Sequence, residues 1–553
     1  MNAKGSQGSL QIVACSFPTP EHPCYHVRLS METSGQEDYQ VQRVEANGKW
    51  VRDFWVYNDD TYHKDQTFLA GARSSIVVRH DWQNGSANHL EIKAAAEGGV
   101  LSLSKGGEEI ILSTEFTAPD YGGYWNPAWK YYASVVLTEN EGWPRVAEPM
   151  HITLGLYADR FTDPEREIRV VGVDPESGAY TEVPCQVYGI STWDMMRDER
   201  CQPTTTVEVA FLANVPPKRA KVYLIFYGNP DAEPITYPTD LKVTGEGFGL
   251  TVENEHYRVK LHPLSGAIDE VLLKQGMDVI FDHHLETNGA LHWNPGVYAP
   301  PRTWIHASDW DPPEGYKTQG GPVFFMTKRW GPLPYYPEVK VSITYLFYVH
   351  TPYILMTSTL DVLEDIDVVA LRNGEIVLNH NVVREFAWKQ PTGEIGSVIV
   401  KERPRHPTRG LDIEADTPWF AWYNREIGAA FGAINLELTH MRRGEGLSRV
   451  EQPYMYMHWG PWTYCARPLI YTFATNNPQR VIRAPGGSTY YEKMAFLPFR
   501  LGSNEATRFE TIERRQQALS HPLDVRVVLD TDERVPEEWV PPILVEEFEE
   551  MED

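Results

Sequence analysis

Short runs in which apolar and polar residues alternate recur along the chain: HVRLSMET at 26–33, SSIVVRHDW at 74–82, HITLGLYA at 151–158, EIRVVGV at 167–173, TTTVEVAFL at 204–212 and AKVYLIFYG at 220–228. A period of two, bounded by Gly, Pro, Asn and Asp, is the signature of strands that bury one face. A helical period is sustained in one place, ETIERRQQALS at 510–520. Strands that do not alternate with helices exclude a Rossmann or TIM architecture. The expected fold is all-β: N-terminal β-sandwich or barrel units followed by a large antiparallel β-supersandwich.

The same pattern divides the chain. A first sandwich is expected over 1–138, ending after the aromatic stretch Tyr121 to Tyr132, and a small barrel or sandwich over 139–235. The segment Asn229-Pro-Asp-Ala-Glu-Pro-Ile-Thr-Tyr-Pro238 reads as a linker, because its prolines cannot donate to a ladder and its Asn and Asp suit turns. Beyond it, LTVENEHYRVKLHPLSGAIDEVLLKQGMDVIF opens a large β unit expected over 245–530, and 531–553 forms an acidic, proline-broken tail.

Composition narrows the function classes. Hydrophobic residues at 42% and charged residues at 23% of 553 are globular proportions. A net charge of −26, with no Lys/Arg cluster, argues against nucleic acid, whose phosphates require a basic surface. No run is long and apolar enough to span a bilayer, so no membrane partner is expected. The opening MNAKGSQGSLQIVACSF lacks a signal-peptide pattern, which gives a cytoplasmic expectation, or a secreted one had a leader been removed. The five cysteines have no C-x-x-C spacing and read as reduced thiols, Cys185 with Cys201 being the pairing to consider. Aromatic residues make up 12% of the chain, with 17 Trp. Indole and phenol rings suit the apolar face of a pyranose, and they equally fill sandwich cores.

The phrase Val252-Glu-Asn254-Glu-His-Tyr257-Arg258-Val-Lys-Leu261, followed by Ser265-Gly266-Ala-Ile268, resembles the entry strands of the galactose-mutarotase-like β-supersandwich. ENEGWPRVAEPMHITLGLYADRF with EVPCQVYG is similar to the small β units ahead of the sugar-active domain in rhamnogalacturonan lyase-like proteins. The resemblance spans about 140–530 and implies a carbohydrate-active protein. It implies no catalytic residues, since no long catalytic motif matches, and the chain has no room for the helical toroid that many such lyases carry.

Candidate chemistry then comes from the residues. A strand over 453–459 would place Tyr454, Tyr456 and His458 on one face. A strand through 379–388 would place Asn379 and Asn381 with Glu385, and His380 with Arg384. Tyr456 and His458 would exchange protons in a β-elimination while His380 and Arg384 neutralise a uronate carboxylate. The long segment 285–314, dense in Trp, His, Asp and Pro, is expected to line the substrate cleft, with Trp293, Trp304 and Trp310 as stacking platforms and His306 beside them. Asp309, Asp311 and Glu314, or Asp412, Glu414 and Asp416, could supply the carboxylate pair of a glycosidase. His283, His284, His292 and His440 match no zinc spacing, so no catalytic metal and no cofactor is expected, although loop carboxylates leave room for a structural calcium. The primary expectation is a lyase acting on uronate-containing glycans. A glycoside hydrolase and a non-catalytic carbohydrate-binding protein are the alternatives.

Overall fold

In the computed structural model, the described residues are 10–16, 26–33, 36–59, 61–80, 87–96, 109–117, 125–126, 128–173, 179–193, 204–274, 276–282, 296–299, 301–402, 411–442, 445–446, 454–457, 461–471 and 481–528. Every strand pairing among them is antiparallel, and none of their sheets closes into a barrel. The alternating runs form strands as expected: HVRLSMET is His26–Thr33, TTTVEVAFL opens Thr204–Val215, and AKVYLIFY is Ala220–Tyr227. ETIERRQQALS is the helix Glu510–Ser520.

The N-terminal unit is a sandwich of two sheets whose inner faces meet in a core containing Val27, Leu29, Val44, Val56, Phe68, Ile76, Leu90 and Ile92. The second sandwich pairs a three-stranded sheet with a five-stranded one, again among the described residues, around Ile152, Val170, Val209, Phe211 and Ile225. Strand Tyr131–Thr138 lies inside this second unit, between Ala220–Tyr227 and Asp524–Val528. The last described strand therefore returns across the molecule to complete the second sandwich.

Each unit is tied to the next by a shared apolar face. Trp55, Tyr57 and Val77 of the first sandwich pack on Tyr132, Val171, Leu224 and Phe226 of the second. Ala210, with Tyr188 and Leu212, packs against Phe324, Tyr348, Ala495 and Leu497 of the third.

The third unit begins with the hairpin Lys242–Glu246 and Gly249–Glu253, followed by Tyr257–Leu261, a turn in which Gly266 takes φ +68°, and Ile268–Leu273. These strands and a six-stranded sheet together face a ten-stranded sheet, with the counts referring to the described residues. The shared core holds Val252, Val271, Ile343, Met356, Ile376, Leu378, Phe420, Trp422 and Phe496. In the six-stranded sheet, strand Ala370–Asn379 is central, flanked by Gly296–Tyr298 and Trp462–Tyr471. Ile376, Leu378 and Cys465 face that core, whereas Val377, Trp462, Tyr464 and Ala466 cluster on the opposite face.

Candidate functional site

That opposite face gathers charged groups that the strand pattern alone does not announce. Register sets Gly296 against both His306 and Arg372, so these two share one face at the sheet edge. In a regular strand Arg372 and Glu375 would point to opposite sides. The ladder to Trp462–Tyr471 shifts between Arg372 and Gly374. That irregularity brings the Arg372 guanidinium onto the Glu375 carboxylate.

A chain of polar contacts follows. Arg372 Nη2 donates to His306 Nε2 at 2.7 Å, and the Trp304 indole N–H donates to the same nitrogen. Neither donor can accept, so Nε2 is the unprotonated nitrogen and the proton of the neutral ring sits on Nδ1. Nδ1 faces the Asp309 carboxylate at 3.6 Å, and Asp309 Oδ2 also accepts the His306 backbone N–H at 2.8 Å. Burial holds the His306 imidazole below the usual histidine range; Asp309 pulls the other way and Arg372 adds to the depression. The Arg372 guanidinium also lies 4.5 Å from the centre of the Trp304 ring. The sequence Asp309, His306, Arg372, Glu375 therefore alternates acceptor and donor along the sheet. His306, Arg372 and Glu375 are buried, while Trp304 and Asp309 are partly exposed at the rim.

A second charged pair lies on the other side of the same sheet. Arg467 Nε is 3.4 Å from Glu492 Oε1 between the two sheets, and the Trp422 indole donates to Thr463 Oγ1 at 3.3 Å nearby. Burial pushes the Glu492 carboxyl up to about 8 against the opposing pull of Arg467. Burial pushes the thiol of Cys465 well above its usual range, with Arg467 pulling it back and Glu375 and Glu492 adding to the rise. Glu492 belongs to the sandwich interior, so the face carrying Glu375 is the candidate site.

The residues expected from sequence are distributed as follows. Trp304 and His306 stand in the charged chain. Their segment is less irregular than expected: it supplies the strand Gly296–Tyr298, the edge strand Ile305–His306 and the short 3-10 turn Ala307–Asp309. Positions 454 and 456 lie in the strand Tyr454–Met457, in register with Ala466 and Tyr464 of the candidate face. Asn379 pairs in register with Trp462 at the far end of that face.

The segment 379–388 is not one strand. Asn379 O accepts the N–H groups of Val382 and Val383, and its side chain accepts from Asn381 N at 2.9 Å, which closes an Asx turn. His380 is consequently buried in the turn with its N–H bonded to Pro461 O, and Asn381 is exposed. Arg384 is exposed and paired with Glu426, so it shares no strand face with His380. Trp310 is a core residue, 3% exposed, with its indole N–H bonded to Pro332 O. It packs inside the sandwich and presents no open ring face. Trp293 and His458 lie outside the described residues. Cys185 is a free, buried thiol.

Arg372 and Glu375 were missed from sequence. Their signal is the interruption LRNGE inside an otherwise apolar strand, two charges flanking a glycine where a regular ladder would carry aliphatic residues.

No family model matches the chain, and no curated protein matches it. Similar solved structures include an α-mannosidase from Enterococcus faecalis V583, with 12% identity, TM-score 0.44 and coverage of 72% of this chain and 46% of that one. A galactose mutarotase-like protein from Clostridium acetobutylicum has 8% identity, TM-score 0.31 and coverage of 47% and 99%. An aldose epimerase homologue from C. elegans has 7% identity, TM-score 0.29 and coverage of 48% and 100%. The chain spans about half the length of the mannosidase. At these scores the likenesses carry no argument about activity.

Proposed function

We propose that the chain is a carbohydrate-active protein whose site is the face of the six-stranded sheet turned away from the shared core, entered at the rim formed by Trp304 and Asp309, and that its reaction is glycoside hydrolysis. The observation that carries this reading is the placement of two carboxylates on one chain of polar contacts beside the half-buried Trp304 indole: Glu375 on Arg372, Arg372 on His306 Nε2, and Asp309 3.6 Å from His306 Nδ1 and bonded to the His306 backbone N–H. Hydrolysis needs one carboxyl to protonate the departing oxygen and a second to activate water or attack the anomeric carbon. Trp304 supplies the flat apolar surface on which a pyranose ring stacks.

The β-elimination reading is weaker, because it assigns uronate neutralisation to His380 and Arg384. One of these is buried in a turn and the other is engaged with Glu426 at the surface.

The test is to incubate the full chain with a panel of neutral and uronate-containing oligosaccharides and follow both new reducing ends and the ultraviolet absorbance of unsaturated uronates. Reducing ends without the chromophore are expected, and Glu375→Gln should lower the rate by roughly 10²- to 10⁴-fold. The chromophore would overturn hydrolysis in favour of elimination. Full activity in both Glu375→Gln and Asp309→Asn would remove this face from the chemistry.

A further inference from the structure

Away from that face, three segments converge at the entrance to the third unit. Asp240 lies just past the proline-rich linker, Glu255 lies in the turn between Gly249–Glu253 and Tyr257–Leu261, and His350 lies in the turn between Tyr336–Tyr348 and Ile354–Val362. One ligand atom from each of the three lies within 4.8 Å of the others. His350 Nδ1 stands 3.1 Å from Glu255 Oε1 and 3.5 Å from Asp240 Oδ2.

A single imidazole nitrogen carries at most one proton, which it can give to one carboxylate only, so that Asp240 keeps backbone N–H donors but shares no proton with the ring. A divalent cation satisfies all three at once. Bonds of about 2.0–2.2 Å in tetrahedral array put neighbouring ligand atoms roughly 3.3–3.6 Å apart, close to the 3.1 and 3.5 Å that separate His350 Nδ1 from the two carboxylates. His256 adds a second imidazole at the rim, with Nε2 3.4 Å from Glu255 Oε1. Lys274, which reaches this turn from the end of Ile268–Leu273, is engaged away from the three ligands, its Nζ donating to Glu253 Oε1 and Asn254 O, both at 2.8 Å.

The ligands are also held in place by the backbone around them. Buried Asn254 donates to Tyr348 O at 3.0 Å and Thr351 O at 2.9 Å, and its Oδ1 accepts from His256 N and Tyr257 N. This one side chain locks the Glu255 turn onto the His350 turn. Asp240 closes the third side, with Oδ2 accepting from Glu255 N at 2.9 Å and Oδ1 from His350 N at 3.2 Å. Such outer support orients metal ligands before the ion arrives.

We propose that Asp240, Glu255 and His350 bind one divalent transition-metal ion of the zinc class, with water completing its coordination, and that the ion clamps the segment leaving the linker onto the third unit. Mixed imidazole and carboxylate ligands favour zinc-like ions over calcium, which prefers an all-oxygen shell.

The test uses the full chain after chelator treatment and buffer exchange. Calorimetric titration with Zn²⁺ should give one site per chain, with Ca²⁺ failing to compete, and Co²⁺ substitution should give the visible absorption of a four-coordinate site. His350→Ala and Asp240→Asn should each weaken Zn²⁺ binding by about tenfold or more, whereas His521→Ala should leave it unchanged. Should His350→Ala misfold by circular dichroism, Glu255→Gln, at an exposed position, replaces it. Absence of Zn²⁺ binding, equal binding by wild type and the ligand variants, or a site that retains Ca²⁺ in preference to Zn²⁺ would each overturn the proposal.

Discussion

Asn254 is 1% exposed and uses all its polar capacity within the protein, two donations and two acceptances that tie neighbouring turns together. Asn254→Ala strands two carbonyls and two amides in a buried place, which should cost about 2–4 kcal/mol. The denaturant midpoint of the transition reporting the third unit should fall accordingly, and an unchanged midpoint would show that water replaces the side chain at no cost. Asn254 was legible in sequence as part of a strand-entry phrase, though its role was not, because its partners lie 94 and 97 residues away. Arg372 and Glu375 were illegible for a related reason: a strict period of two puts them on opposite faces, and only the ladder irregularity unites them. Trp310 illustrates the opposite error, since residue type marks a Trp as able to stack on sugar, but burial decides whether its face is available.

At the scale of elements, the helix Glu510–Ser520 shows where periodicity suffices and where it stops. Its bounds follow from the pattern, yet its docking depends on a glycine in another strand. A Cβ at Gly432 would lie 2.3 Å from Ile512 Cδ1, so the ten-stranded sheet receives the helix through a missing side chain. Phe509 and Ile512 pack there on Trp419, Tyr423 and Leu497, and Arg145 of the second sandwich holds the helix end through Ala518 O and His521 O. Ile512→Ala should destabilise the protein by about 2–4 kcal/mol through cavity formation. Gly432→Ala should destabilise it by about 1–3 kcal/mol through overpacking. Thermal unfolding of both variants checks this, and a neutral Gly432→Ala would mean that the helix shifts freely. The break after Asn379 is a further element-scale lesson. The polar run Asn-His-Asn is compatible with a strand that continues, whereas the local Asx bond ends it.

Across the whole molecule, the joint between the second and third units rests partly on one neutral histidine. His151 bridges the Tyr188 hydroxyl at 2.6 Å on Nδ1 and the Tyr348 hydroxyl at 2.9 Å on Nε2, and its ring packs against Phe324. Burial, with Lys493 adding to it, holds this imidazole down to about 4. The unfolded chain takes up the proton near pH 6.5 while the folded chain resists it until about pH 4. Stability from this joint is therefore present above about pH 6.5 and lost as pH falls towards 4, by at most about 3 kcal/mol. Unfolding measured between pH 7 and 4.5 should show this decline, and His151→Gln should reduce its slope by about one proton. An identical slope in the variant would place the acid sensitivity elsewhere.

The strands, the helix Glu510–Ser520 and the all-β class were readable from the amino-acid sequence, because these follow from local periodicity and from where turn residues interrupt it. The sequence also marked Trp304 and His306 as chemistry-bearing. Tertiary structure alone decided that strands Tyr131–Thr138 and Asp524–Val528 meet in the second sandwich. It likewise decided that Asp309, His306, Arg372 and Glu375 form one chain, and that Asp240, Glu255 and His350 face a common point. Each of these depends on contacts between residues distant in sequence, and their geometry is set by sheet register and burial, which no local pattern encodes.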